Sequence, residues 1–383
     1  MFRKIVMAFS LFALLPENGK AQHFSFASKA VRDSITKELV QKINTAVVKP
    51  VNEQTLNEWK GACWAMELML YKPRGFKKRI PAIISNLRPQ PVAFQQSFLE
   101  MVITLYPGKF KKQVSSVWTR LGSNKVKAMA LEQLALAKRF PDAKADAGFS
   151  GSEYYTSYSG RWLSGKPIFP GKDVFLQKDF LNGQTMLVSF QYRNRDKPGC
   201  LMIRTAGHEW LKDEKGVPYC FTQLARSITN MPWYITNGNT PQGLHKIIGT
   251  DVSGNNWIGP TINLQIVMPL EEAPQIFFSD TAQSYNQYKA LLGPASVYAG
   301  LYESYFAGKI GRSKIIAHGT TIPEWYYKGK TYYPCTPSLG CLCSPEMWDE
   351  YGMLQKSTQQ QWMNIVQQLA PKPVYLLVAE IGE

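Results

Sequence analysis

The chain has 383 residues, room for two domains of common size, and a formal charge of +16. With 45% hydrophobic and 13% aromatic residues against 19% charged, it is neither a disordered tail nor a coiled coil. Its Lys and Arg are scattered rather than clustered, which argues against nucleic acid and leaves anionic envelope polymers as the partner such a charge attracts.

The N-terminus has the three-part layout of an export signal. Arg3 and Lys4 are followed by the apolar run Ile5–Leu15, then by breakers Pro16–Gly19 and a small residue at Ala21. The run is too short to span a bilayer. Residues 1–21 therefore read as a signal peptide, with the mature protein exported to the periplasm or cell envelope and no transmembrane segment left after cleavage; an uncleaved anchor or a buried helix is the alternative.

Residues 22–145 read as an α-helical accessory domain. Val31–Val48 shows helical spacing. Tyr71-Lys72-Pro73, Tyr106-Pro107 and Phe140-Pro141 each close an apolar run, with their aromatics 35 and 34 residues apart, and Phe76-Lys77-Lys78 recurs 34 residues on as Phe110-Lys111-Lys112. That period fits helix pairs stacked as a small solenoid that binds an envelope protein or polymer. It equally fits an ordinary bundle.

Residues 146–170, rich in Gly, Ser and Tyr, read as a linker. From 171 the texture turns to strands: Asp173–Leu176, Thr185–Tyr192, Cys200–Thr205, Gly243–Gly249, Asn263–Met268 and Ser313–Ala317. A helix is expected over Pro345–Leu369. Val374–Ile381, apolar without alternation, reads as a buried final strand. The fold class is α+β: an all-α domain followed by a mostly β domain, 171–383, closed by a helix and a strand.

Six cysteines and four histidines carry the chemistry. His318 ends the strand Lys314-Ile315-Ile316-Ala317 and precedes Gly319. Pro334-Cys335-Thr336-Pro337-Ser338-Leu339-Gly340-Cys341-Leu342-Cys343-Ser344-Pro345 is a turn-rich loop in which Gly340 exposes the next residue. A cysteine and a histidine are the minimal pair for nucleophilic acyl transfer, and successive backbone N–H groups at Gly340 and Cys341 suit an oxyanion. Cys335 and Cys343 flank Cys341, and a disulfide clamping the loop is favoured over a bond from Cys341. A metal site lacks the usual Cys-x-x-Cys pair, and no cofactor is expected. Asn263 and Gln265 share a strand face, as sheet-surface residues or as stem-peptide contacts.

The ordered elements resemble the L,D-transpeptidase catalytic-domain family over about 185–383. That family has a strand ending in His-Gly or His-Ser, then Ser/Thr-His-Gly-Cys. Here these are His318-Gly319 and Ser338-Leu339-Gly340-Cys341. Thr240-Pro241-Gln242-Gly243 through Ile247 resembles the family's Thr-Pro-x-Gly strand. The resemblance implies Cys341 as nucleophile, His318 as general base oriented by the Gly319 carbonyl, Gly340 and Cys341 as oxyanion hole, and peptidoglycan stem peptides as substrate. The acyl group would pass to an amine, or to water as in an L,D-carboxypeptidase. The chain departs from the family at Leu339, where the family has His, and at Cys343, where it has Arg or Asn. The 23-residue gap from His318 to Cys341 is also longer. Ser338, Arg312, Trp325 and Tyr333 are further candidates for substrate contact, the last two as part of an aromatic wall or a packed lid. A non-catalytic wall-binding scaffold and a cysteine peptidase acting on envelope peptides are the competing readings.

Overall fold

A computed structural model describes residues 22–142, 146–165, 167–278 and 284–382; the expected signal segment lies outside them. No helix among the described residues is long and apolar enough to cross a membrane.

The N-terminal half is helical: α1 (Lys29–Ala46), α2 (Leu56–Met69), α3 (Ile80–Ser85), α4 (Val92–Leu105), α5 (Lys111–Val117), α6 (Asn124–Ala135), α7 (Ala147–Ser150) and α8 (Glu153–Trp162). The 34–35-residue spacing has a structural counterpart. Helices α2, α4 and α6 pack in sequence order, and α3 packs on α5 beside them. The Pro turns are stitched by buried glutamines. Gln133 of α6 donates to the carbonyls of Tyr106 and Lys109, both at 2.9 Å, and accepts the Gly108 N–H at 3.0 Å. Helix α4 sinks Phe94, Phe98, Leu99, Met101, Val102 and Leu105 into the shared core, each side chain contributing roughly 1.5–3 kcal/mol. The expected linker is partly helical. Ser152 caps α8 by accepting the Tyr155 N–H at 3.3 Å, and α8 lies against α6 with Tyr158 buried.

The second half contains β1 (Met186–Tyr192), β2 (Gly199–Arg204), β3 (Phe221–Gln223), β4 (Gly243–Asp251), β5 (Asn263–Val267), β6 (Ile316–Gly319), β7 (Leu342–Ser344), β8 (Glu346–Trp348), β9 (Leu354–Ser357) and β10 (Tyr375–Ile381). Helices α9 (Pro274–Phe278), α10 (Tyr285–Leu292) and α11 (Glu303–Lys309) come between β5 and β6, and α12 (Thr358–Gln368) precedes β10. One sheet runs β3-β2-β1-β10-β4-β5-β6-β7; β8 and β9 form a separate hairpin. Strand β10 enters the middle of the sheet, parallel to β1 and antiparallel to β4. Its Tyr375, Leu377 and Ala379 face one core and Leu376 and Val378 the other, which is why the sequence shows no polar alternation there. The two sheet edges meet: Leu224, next after β3, exchanges both backbone hydrogen bonds with Cys343 of β7, at 2.8 and 2.9 Å.

Three expectations, a strand, a helix and a disulfide, are corrected. Asp173–Leu176 belongs to a 3₁₀ turn, Lys172–Leu176, because the carbonyls of Phe175, Phe180, Leu181 and Gln184 wrap around the buried guanidinium of Arg204 instead of joining a ladder. The expected helix from Pro345 starts only at Thr358, after the β8–β9 hairpin; Ser357 caps it by accepting the Gln360 N–H at 2.9 Å. The disulfide joins Cys200 to Cys220, whereas Cys335, Cys341 and Cys343 are free thiols. Cys200 is on β2 and Cys220 abuts β3, its antiparallel neighbour, which brings those two within bonding reach.

The halves share a core. Met231, Tyr234 and Ile235, from the segment between β3 and β4, insert among the helices, and Lys125 of α6 donates to Thr236 Oγ1 at 2.7 Å.

Candidate active site

Strands β6 and β7 lie parallel, with Ala317 opposite Leu342, His318 opposite Cys343 and Gly319 opposite Ser344. A parallel pair cannot be joined by a tight hairpin and needs a crossover of a dozen residues or more. The long interval between His318 and the cysteines is that crossover.

His318 is 3% exposed. Its Nδ1 lies 2.6 Å from the Gly319 carbonyl oxygen and its Nε2 3.6 Å from Cys343 Sγ. A carbonyl only accepts, so Nδ1 carries the proton and the Nε2 lone pair faces the thiol. Burial pushes the imidazole down to about 4, with the Gly319 bond opposing it. Burial, then the neighbouring Cys341, pushes the Cys343 thiol up, and the Ser338 hydroxyl lowers it. The resting pair is thus a neutral thiol donating to a neutral imidazole.

Cys341 stands two residues earlier, on the same side of the extended chain, and is partly exposed. Its Sγ accepts the Ile316 N–H at 3.5 Å and lies 3.8 Å from the Lys314 carbonyl. Burial raises its pKa, while the Ile316 N–H and the positive charge of Arg312 lower it. The expected pairing of His318 with Cys341 is therefore replaced by one with Cys343: strand register puts Cys343 opposite the imidazole and Cys341 beside Ile316.

The turn before Cys341 explains its sequence. Gly340 has φ +119°, and a Cβ there would overlap Arg312 Nη2 and the Gly238 carbonyl. Its carbonyl accepts the Thr240 hydroxyl at 2.9 Å, which ties the Thr240-Pro241-Gln242-Gly243 segment to the thiol loop. Ser338 Oγ accepts the Gly340 N–H at 3.0 Å and donates to the Cys341 carbonyl at 2.9 Å, so Ser338 closes the turn. The Gly340 N–H, expected in an oxyanion hole, is engaged by that hydroxyl. The Cys343 N–H is engaged by Leu224.

The expected substrate contacts fall elsewhere. Arg312 is buried and donates to the carbonyls of Trp233, Gly238 and Asn239; its guanidinium backs the thiol loop instead of facing solvent. The aromatic crossover packs on the helical half. Trp325 lies under Arg32 of α1 at 4.8 Å, Tyr326 hydrogen-bonds Thr36 at 2.5 Å, and Tyr327 donates to the Leu68 carbonyl of α2 at 2.9 Å. Tyr333 is 44% exposed. Asn263 is fully buried and accepts from Gln265.

Glu346 is the residue the sequence reading missed. Its Oε1 accepts the hydroxyls of Thr261 at 2.6 Å and Ser357 at 2.7 Å. Burial pushes it up to about 7. The only trace in the sequence is a carboxylate three residues after a cysteine, which is no signal without the fold.

No family model, no curated protein and no solved structure matches this chain.

Proposed function

We propose that the protein is a cysteine acyltransferase acting on peptidoglycan stem peptides, with His318 as general base and Cys343 as the thiol it activates. The observation that carries this reading is the imidazole held by the Gly319 carbonyl with its free Nε2 lone pair on a thiol. The resemblance of the His-Gly and Ser-x-Gly-Cys elements to L,D-transpeptidases supports the substrate class.

In the reaction, the thiol proton passes to Nε2 as Sγ attacks the carbonyl carbon of the scissile amide. The imidazolium then protonates the departing amine, leaving a thioester and a neutral imidazole. An incoming wall amine or water gives its proton to Nε2, attacks the thioester and restores the thiol.

A second reading places the thioester on Cys341, whose sulfur meets the Ile316 N–H instead of an imidazole. It is favoured by the partial exposure of Cys341 and by the Arg312 charge beside it.

Both readings are tested by intact mass after incubating the reduced protein with a carbapenem, an acyl donor for L,D-transpeptidases. A single adduct lost in Cys343→Ala and slowed in His318→Ala supports the first. Loss in Cys341→Ala alone supports the second. No adduct, and no conversion of muropeptides by the folded protein, sinks both and leaves the scaffold reading.

A further inference from the structure

Gly319 does more than follow the base. Its carbonyl accepts two N–H groups, His318 Nδ1 at 2.6 Å and Gly259 N at 2.8 Å. Gly259 and Gly319 thus form a paired backbone anchor for the imidazole. Neither can carry a side chain, because a Cβ on either would overlap the Glu346 carboxyl. The carboxyl is therefore seated on the two glycine α-carbons.

The seat is built. Thr261 and Ser357 both donate to Oε1, which fixes the carboxyl's rotation. Ser357 also caps α12, so the hydroxyl is itself immobilised. Oε2 is buried without a hydrogen-bond partner, facing Gly259 and Gly319. Leaving a carboxyl oxygen buried and unsatisfied costs free energy, and here the arrangement puts it next to the peptide that orients the base.

We propose that Glu346 is a positioning residue for the His318–thiol pair, holding the Gly319 carbonyl against the imidazole and, when ionised, opposing the negative charge that develops on the Cys343 thiol. The proposal rests on the acyl-transfer reading for its purpose, but its test needs no substrate.

Few groups compete for this role. From β7 the titratable neighbour is Cys343, whose thiol the Glu346 charge raises further. From β6 it is His318, one residue before Gly319. The 259–261 turn supplies Gly, Pro and Thr, and β9 supplies the Ser357 hydroxyl. Glu346 itself changes charge near neutral pH, since burial holds it at about 7. A negative charge within a few ångströms of a titrating group shifts its pKa by about one unit or more. Ionised Glu346 raises the Cys343 thiol, so the thiolate population falls about tenfold as Glu346 ionises.

The experiment is the rate of alkylation by iodoacetamide, resolved per cysteine by peptide mass, from pH 5 to 9 on the full chain. Wild type is expected to show a downward step of about tenfold centred near pH 7 at the His318-paired thiol. Glu346→Gln, which keeps the volume and both hydroxyl partners, removes the step. Thr261→Val, which deletes one stabilising hydroxyl from the carboxylate, moves the step to higher pH. A step that persists unchanged in Glu346→Gln overturns the proposal, as does a Thr261→Val profile that superposes on wild type. If Glu346→Gln fails to fold, the Thr261→Val shift decides alone. A lost step together with failed turnover of muropeptides keeps the positioning role and rejects the substrate class.

Discussion

The His318–Cys343 pair makes a quantitative prediction about reactivity. The imidazole is held to about 4 and the thiol above its usual 9.0. Moving the proton across the hydrogen bond therefore costs upwards of about 7 kcal/mol, at about 1.4 kcal/mol per pKa unit. The two charges so formed attract. At the 3.6 Å separation and an effective dielectric of about 20, that returns about 4–5 kcal/mol. The balance leaves the ion pair on the order of a percent of the population, or less. Because the proton moves within the molecule, this fraction does not follow pH while the imidazole stays neutral and the thiol stays protonated. Alkylation of Cys343 should thus hold level from pH 5 to about 7, apart from the step assigned to Glu346, and climb only above that, where the ion pair's imidazolium loses its proton to solvent. Cys341 has no imidazole partner, so its rate should climb about tenfold per pH unit toward its raised pKa. His318→Ala should convert Cys343 to the same climbing behaviour and slow it at least tenfold at pH 6. A Cys343 rate that rises tenfold per unit between pH 5 and 7 in wild type, or that ignores His318→Ala, refutes the pairing.

Three further outcomes follow from the geometry. Arg204→Met strands the four carbonyls its guanidinium holds and should cost about 3 kcal/mol or more, read from urea unfolding; a loss under 1 kcal/mol would mean the 175–184 segment closes without it. Tyr327→Phe removes the bond to the Leu68 carbonyl and should cost about 1 kcal/mol. It should also speed amide exchange across 320–341 but not in β1 or β10; uniform acceleration would contradict a local latch. Thermal stability should peak just above pH 4.5. Burial holds Glu303 at about 8 and Glu100 and Glu346 at about 7, so the folded state keeps protons that the unfolded chain loses above the usual carboxyl range of about 4.3, and stability falls as pH rises from there through 7–8. His245 and His318, held at about 4, are charged sooner when unfolded; between pH 4 and 6.5 these two groups offset only part of the loss from the three carboxyls, and below pH 4.5 they make stability fall as pH drops. A melting temperature that increases steadily from pH 6 to 8.5 would contradict these assignments.

What was legible in the sequence was periodic or positional. The apolar run of β10, the Pro-terminated helices and the His-Gly strand end all follow from residue order, because burial on two faces, helix termination and strand edges leave local marks. Register leaves none. Which cysteine faces His318 depends on how β7 slides against β6, and a slide of two residues would exchange Cys343 for Cys341 without changing any side chain's face. The helices between β5 and β6 were missed because their apolar faces are short, and the β8–β9 hairpin because its strands have three and four residues. Glu346 and the engagement of the Gly340 and Cys343 N–H groups were illegible for a different reason. Their roles are set by contacts among Gly259, Gly319, Ser338 and Leu224, which are remote in the chain.

The crossover also changes how the helical half should be regarded. A parallel β6–β7 pair has no hairpin to fix its register, so the register must come from whatever holds residues 320–341. Leu224 holds one side of Cys343 through two backbone bonds, and Ile228, Ile322, Tyr327, Tyr332 and Cys335 pack with Leu68 of α2 in one buried cluster. Thr36, Arg32 and the Leu68 carbonyl fix the aromatic stretch in between. The segment 231–235 that enters the helical core continues into Gly238 and Asn239, whose carbonyls hold Arg312 beside Cys341. Two separate paths thus run from the helices to the two cysteines, one on each side of the thiol loop. An accessory module joined only by a linker would leave the register of His318 and Cys343 to a three-residue strand. Here the helices help set it, and they belong to the machinery that positions the thiols.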